Sequence, residues 1–211
     1  MKHKSFLLFL KVDLCYNNSV LFCGKNTTIN TKHLIVARIF FTELLYMKYL
    51  YETARDVSQI DIDRLYENGK RFIIIDLDNT VARWKTFIIK DSVKAWIRTA
   101  LEKGFDICIL SNNHNKERTV QAARMLGIKS FAPSKKKPSE KAYNETLEYM
   151  QANAQQTVMI GDQLFSDIRG AFRVGISGIL VDPIYRKEAP ITVLMRVVER
   201  IAGRNIVWQD N

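Results

Sequence analysis

The sequence predicts an α/β protein, a three-layer arrangement in which about five parallel strands are covered by helices on both faces. Three observations predict it. Short apolar, β-branched runs recur near residues 72–76, 105–110, 129–132, 157–161 and 177–181. Stripes at helical spacing fall between several of them, and such alternation is the pattern of right-handed βαβ units. Three of the runs stop abruptly at polar residues, at the strand ends where open α/β sheets place their ligands.

In chain order, Phe72–Ile75 suits a strand buried on both faces of a parallel sheet. Val93, Trp96, Ile97, Ala100 and Leu101 follow Asp91-Ser92 at helical spacing, and Gly104 closes that helix. Phe105–Leu110 is a second apolar run, followed by Ser111-Asn112-Asn113. Tyr143, Leu147 and Met150 form the next stripe, Thr157–Ile160 the third run, and Ile168, Ala171 and Phe172 a shorter stripe. The whole reads as a Rossmann-like sheet. In a final helix, Val193, Leu194, Val197, Val198 and Ile201 line one side, a face for packing on the sheet or for lying in a lipid interface.

The chemistry is concentrated where the runs end. Asp76 and Asp78 are spaced i, i+2 and followed by Thr80. Two carboxylates there make a poor core and a good metal site. Asp76 can attack phosphorus as a carboxylate nucleophile, and Asp78 can serve as general acid and then general base. Thr80 braces the loop or contacts the second aspartate. An Asp-rich turn bonding to its own backbone is the plainer reading. The hydroxyl and backbone N–H groups of Ser111-Asn112-Asn113 can hold a phosphate at the following helix N-terminus, or these residues serve simply as a helix cap or turn. After the third run, Gly161-Asp162 places a carboxylate able to complete a hard-cation site with Asp76. Asp167 can fix the site from one helical turn along or cap the next helix. Among Lys135, Lys136 and Lys137, one lysine can neutralise Asp76 and an incoming phosphate.

This combination resembles the haloacid dehalogenase-like (HAD) hydrolase superfamily through DLDNT at 76–80, Ser111 after an apolar strand, Lys before Pro138, and GDQLFSD at 161–167. Within it, the DLDNT form, LSNN at 110–113, the Lys-Pro pair and GDQ resemble class IIIA, the group of YqeG-type phosphatases and phosphatidylglycerophosphatases. The resemblance implies a Mg²⁺-dependent phosphomonoesterase with Asp76 as nucleophile and Asp78 as acid/base. It implies that Lys137 neutralises charge, that Thr80, Ser111 and Asn112 serve the substrate, and that Asp167 supports the site. Asp76, Asp162 and the Asp78 backbone carbonyl would hold the metal. Arg83 and Lys85, flanking Trp84, make one loop more basic than such proteins usually have.

Members that enclose small substrates insert a cap domain between these motifs. Here Val81–Leu110 and Asn112–Lys136 leave room for about one helix and one strand each, so no separate cap domain is expected. An uncapped site suits a large substrate or one displayed on a surface, and phosphatidylglycerophosphate fits. The formal net charge of +10 favours anionic partners, a phospholipid surface first and nucleic acid second. A soluble or nucleic-acid-linked phosphomonoester, or a non-catalytic RNA- or ribosome-associated role, are the alternatives.

Residues 1–46 are read as an N-terminal extension, or an upstream reading of the start, and residues 47–211 as the phosphatase domain. Lys2 and Lys4 before Phe6–Leu10 imitate a signal peptide, but Lys11 breaks the apolar run. His33–Tyr51 is interrupted by Arg38, Glu43 and Lys48, and reads as an amphipathic helix rather than a membrane span. Three cysteines, Cys15, Cys23 and Cys108, point to neither a disulfide framework nor a zinc site and suit a reducing cytoplasm, with peripheral attachment to the inner membrane face as the further expectation.

Overall fold

A computed structural model describes residues 50–185. The expected extension at 1–46 and the final helix around 193–204 lie outside the described residues. Among those described, six parallel strands form one sheet: β1 (Leu50–Ala54), β2 (Phe72–Ile75), β3 (Asp106–Leu110), β4 (Lys129–Phe131), β5 (Thr157–Gly161) and β6 (Ser177–Val181), in the order β1-β6-β5-β2-β3-β4. The α-helices among the described residues are α1 (Ile62–Glu67), α2 (Asp91–Glu102), α3 (Lys116–Leu126), α4 (Glu140–Met150) and α5 (Arg169–Arg173).

The three layers follow from the two-residue period of the strands. Ile73, Ile75, Ile107, Ile109, Val158 and Ile160 pack on one face with Val93, Trp96, Ile97 and Ala100 of α2. Ile74, Cys108, Leu110 and Met159 face the other way, against Tyr143 and Met150 of α4 and Ala171 of α5. Both faces of β2 are therefore covered, which is why its sequence is an unbroken run of isoleucine rather than an alternation. Burial pushes the Cys108 thiol up to about 12, so it behaves as a small apolar side chain.

Two elements were not legible in the pattern. The sheet has six strands where about five were expected, because β1 lies partly in the segment read as a helix. It pairs in parallel with β6 at the sheet edge, through a register shift between Leu50 and Glu52. Its backbone finds a partner only in the folded chain. Helix α3 lacks a strong apolar stripe; its start is fixed by Asn115, whose side chain accepts the Arg118 N–H at 3.0 Å, and its end by Gly127 at φ 67°. No cap domain interrupts the described residues: five residues separate β3 from α3, and fifteen separate β2 from α2.

Lys70 is buried under the opposite end of the sheet, where its ammonium donates to the carbonyls of Gln155 (2.7 Å) and Thr157 (3.3 Å) and to Ser177 Oγ (3.0 Å). It ties the starts of β2, β5 and β6 together, while burial lowers its pKa.

Candidate active site

The C-terminal ends of β2, β3 and β5 bring the motifs together. β2 is the central partner, bonded to β3 on one side and β5 on the other, so Asp76 and Asp162 leave the sheet side by side. The chain then turns sharply after Asp76. The N–H groups of Val81 and Ala82 bond back to the Leu77 carbonyl, and Asn79 sits at φ 65°, a left-handed position that asparagine tolerates. This turn aims Asp76 inward and Asp78 toward the site rim.

Asp76, Asp162 and Asp167 are all buried, with an oxygen of each within 4.8 Å of the others. Lys137, only 5% exposed, donates to Asp76 Oδ1 at 2.6 Å and to Asp167 Oδ1 at 2.7 Å. The Thr80 hydroxyl reaches Asp162 Oδ1 at 3.3 Å. Three buried carboxylates around the Lys137 ammonium gather several oxygen atoms in one place. Such a set of hard oxygen ligands in a buried site is what a divalent cation of the Mg²⁺ type needs. Burial pushes the Asp76 carboxyl up to about 7, helped by the charges of Asp167 and Asp78 and opposed by Lys137. Lys137 moves up: burial disfavours its charge, but Asp167 and Asp76 outweigh that, so it stays an ammonium.

A π-helical turn, Leu164–Ile168, delivers Asp167. The Tyr143 hydroxyl donates to the carbonyls of Ser166 (2.8 Å) and Asp167 (2.9 Å), and Asp167 Oδ2 accepts the Gln163 N–H at 3.1 Å. Gly161 is needed because any Cβ there would collide with the Asp167 carboxylate. Asp167 therefore works within the cluster and not as the cap of α5.

Asp78 stands apart from these carboxylates. Arg118 Nη1 bridges both of its oxygens at 2.8 and 3.0 Å, Asn113 Nδ2 donates to Oδ2 at 2.9 Å, and the Lys85 N–H donates to Oδ1 at 3.0 Å. Arg118 also donates through Nε and Nη2 to the Thr86 carbonyl. Asn113 lay in a run already singled out for phosphate binding, but Arg118 had no sequence signal. It is an ordinary-looking residue in the first turn of α3, and only burial with three acceptors gives it meaning.

The remaining expected residues are close by, with some different partners. Ser111 follows β3, and its Oγ accepts the Asn113 N–H at 3.2 Å. Asn112, expected at the substrate, uses its amide to hold the lysine loop: Nδ2 donates to the Lys137 carbonyl (3.0 Å) and Oδ1 accepts the Lys137 N–H (2.8 Å). Thr80, expected at the substrate, in the loop or on the second aspartate, has its hydroxyl on Asp162. The carboxylates that could hold a cation group Asp167 with Asp76 and Asp162; Asp78, whose backbone carbonyl is the expected ligand, has its side chain turned to Arg118. Of the three consecutive lysines only Lys137 enters the cluster; Lys135 and Lys136 are exposed. They line an open cleft of about 150 Å³ running from Ser111 past Lys116 to Phe131 and Pro133.

Residues 20–175 match the family model of the haloacid dehalogenase-like hydrolases. The chain belongs to this family. Among its relatives, the protein named "Probable phosphatase YqeG" of Bacillus subtilis (strain 168) is 37% identical over 105 residues, covering 50% of this chain and 60% of that protein. The ribulose-1,5-bisphosphate 5-phosphatase of Halopiger xanaduensis is 30% identical over 115 residues, covering 50% of this chain and 47% of that protein. The chain thus spans about half to three fifths of the length of these relatives. Among solved structures, the magnesium-bound HAD-hydrolase YfnB of Bacillus subtilis is similar with a TM-score of 0.44 at 14% identity, over 58% of this chain and 91% of that one. An uncharacterized Listeria monocytogenes serotype 4b protein gives 0.45 at 20% identity, over 62% and 99%. For this HAD-like hydrolase, the cluster at the ends of β2 and β5 is the candidate active site.

Proposed function

We propose that this HAD-like hydrolase is a Mg²⁺-dependent phosphatase of phosphomonoesters, and that its substrate is phosphatidylglycerophosphate. The observation that carries the chemistry is the buried Lys137 ammonium between Asp76 and Asp167, with Asp162 alongside. It is an arrangement suited to bringing a dianionic phosphate against a carboxylate.

In the first step an Asp76 oxygen attacks phosphorus. The P–O bond to the ester oxygen breaks, and that oxygen leaves as an alcohol with a proton from Asp78. In the second step water attacks the aspartyl-phosphate, Asp78 takes the water proton, and the bond from Asp76 to phosphorus breaks to release inorganic phosphate. Lys137 offsets the charge of Asp76 as phosphate approaches, and the Ser111 hydroxyl donates to a phosphate oxygen. Mg²⁺ held by Asp76 and Asp162, with Asp167 beside them, would supply Lewis-acid stabilisation of the phosphate oxygens.

The lipid substrate is supported by the missing cap among the described residues and by Lys116, Lys135 and Lys136 along the adjoining cleft, where the substrate's phosphodiester can lie. A soluble sugar bisphosphate is the second reading, favoured by the name of the Halopiger relative and by the same lysines. The deciding experiment is Mg²⁺-dependent phosphate release from phosphatidylglycerophosphate in mixed micelles, beside a panel of soluble phosphomonoesters and bisphosphates, with Asp76→Asn as control. Preference for the lipid, lost in Asp76→Asn, is the expected result. Preference for a soluble ester overturns the substrate, and full activity in Asp76→Asn overturns the covalent route.

A further inference from the structure

The segment between β2 and α2 has a feature that catalysis does not use. Residues 79–90 contain Arg83, Lys85 and Lys90 and no acid, with Lys90 paired to Asp56 at 2.6 Å, and they carry Trp84, Phe87 and Ile88 in the same short stretch. Phe87 is 40% exposed and Ile88 63% exposed, adjacent to each other in the chain. Single exposed apolar residues are ordinary on a protein surface. Two large ones side by side on one arm of a basic loop, next to a candidate active site that no cap domain covers among the described residues, are a different combination.

The loop is built rather than slack. The Arg83 N–H bonds to the Ile88 carbonyl at 3.0 Å, the Thr86 N–H to the Arg83 carbonyl at 3.0 Å, and Ile88 N–H to the Thr86 hydroxyl at 3.2 Å. These bonds close a turn with Trp84 and Lys85 at its corner and hold Phe87 and Ile88 on the returning arm, where both side chains are exposed. Lys85 Nζ lies 4.5 Å from the Trp84 ring centroid, so cation and aromatic ring are offered together. The same loop is bonded to the site, through the Lys85 N–H to Asp78 and through Arg118, which joins the Thr86 carbonyl to Asp78.

We infer that the Arg83–Ile88 loop docks on an anionic lipid bilayer, with Phe87 and Ile88 entering the headgroup–acyl boundary and the exposed Lys85 facing lipid phosphates, while the Arg83 guanidinium, 3.9 Å from the Tyr185 ring centroid, anchors the loop. Apolar insertion plus cationic attraction is the combination that holds peripheral proteins at such surfaces. Charge complementarity selects an anionic bilayer, and Ile88, the more exposed of the apolar pair, favours a bilayer over RNA, since isoleucine has no ring on which a base can stack. Docking this loop sets the mouth of the site at the level where a lipid phosphomonoester is displayed. The inference rests on the lipid substrate proposed above.

The test is flotation of the full chain with phosphatidylcholine vesicles, with and without phosphatidylglycerol, scored without turnover. Wild type should float with the mixed vesicles and not with pure phosphatidylcholine. Phe87→Ser/Ile88→Ser should weaken partitioning at least about tenfold, from the apolar area withheld from lipid. Lys85→Glu should also weaken it, and Ile88→Trp should strengthen it; thermal melting of each variant checks folding. Absence of wild-type binding to mixed vesicles, equal binding by the double variant, or binding to single-stranded RNA alone overturns the inference. Phosphate release from a soluble monoester is assayed in parallel. Activity there without vesicle binding refutes the docking and leaves the phosphatase chemistry standing; vesicle binding without activity on any ester does the reverse.

Discussion

Replacing Lys137 by methionine tests the electrostatic core of the site. The substitution keeps most of the side-chain volume and removes a buried ammonium that lies 2.6 Å from Asp76 and 2.7 Å from Asp167. Removing one partner of a buried pair costs about 3–5 kcal/mol when the other stays charged. The variant can avoid part of that by holding a proton on a carboxyl. Measured from the ordinary aspartate value of 3.8, holding the proton costs about 1.4 kcal/mol per pH unit, hence roughly 2 kcal/mol at pH 5 and roughly 6 at pH 8. The cheaper route governs at each pH. The expected deficit is therefore about 2 kcal/mol or less at pH 5 and about 3–5 kcal/mol at pH 8. The sign follows from linkage: a carboxyl whose folded pKa is raised favours the folded state below its unfolded pKa, and that benefit disappears as pH rises through the folded value. Urea denaturation of wild type and variant at both pH values, with chelator present, measures it. A deficit under about 1 kcal/mol at pH 8, or one independent of pH, would refute the reasoning. Phosphatase turnover should fall at least about a hundredfold, as for loss of one group stabilising transition-state charge.

Three further outcomes follow from the same geometry. Mg²⁺ should raise the melting temperature by about 5–10 °C at a hundredfold excess over its Kd at pH 8, and by less at pH 5, where Asp76, with its pKa raised to about 7, holds a proton that competes with the cation; an equal shift at both pH values contradicts this. Gly161→Ala should cost about 1–3 kcal/mol in denaturant titration and reduce Mg²⁺ affinity in calorimetry, because the added methyl displaces Asp167; unchanged affinity would show that Asp167 is not held by that close approach. Arg118→Met should lower kcat about tenfold to a hundredfold on an alkyl phosphate and less on p-nitrophenyl phosphate, whose leaving group needs little acid assistance, and Arg118→Lys should not restore it because lysine cannot reproduce the fork. Equal losses on both esters would separate Arg118 from the acid step.

Several parts of this protein were decided by the sequence. The isoleucines of 73–75 can be buried only together, on both faces of a parallel strand, and a chain so buried must end in residues that tolerate a crowded, polar edge. Asp76, Asp78, Ser111, Asp162 and Asp167 could be placed at that edge because each follows an apolar run at fixed spacing. Short-range order of this kind is written in one dimension. Long-range partnership is not. Which of three identical lysines enters the cluster depends on the loop after β4 and on the Asn112 amide that grips the Lys137 backbone. The Arg118–Asp78 pair joins positions forty residues apart, and the edge strand β1 acquires its hydrogen bonds from β6, far along the chain. Asn112 and Thr80 are polar residues beside the site whatever the fold, but only packing decides that one holds a lysine and the other an aspartate. A residue's type sets what it can bond to; the tertiary structure sets which of its possible partners arrives, because burial leaves each polar group no water to fall back on.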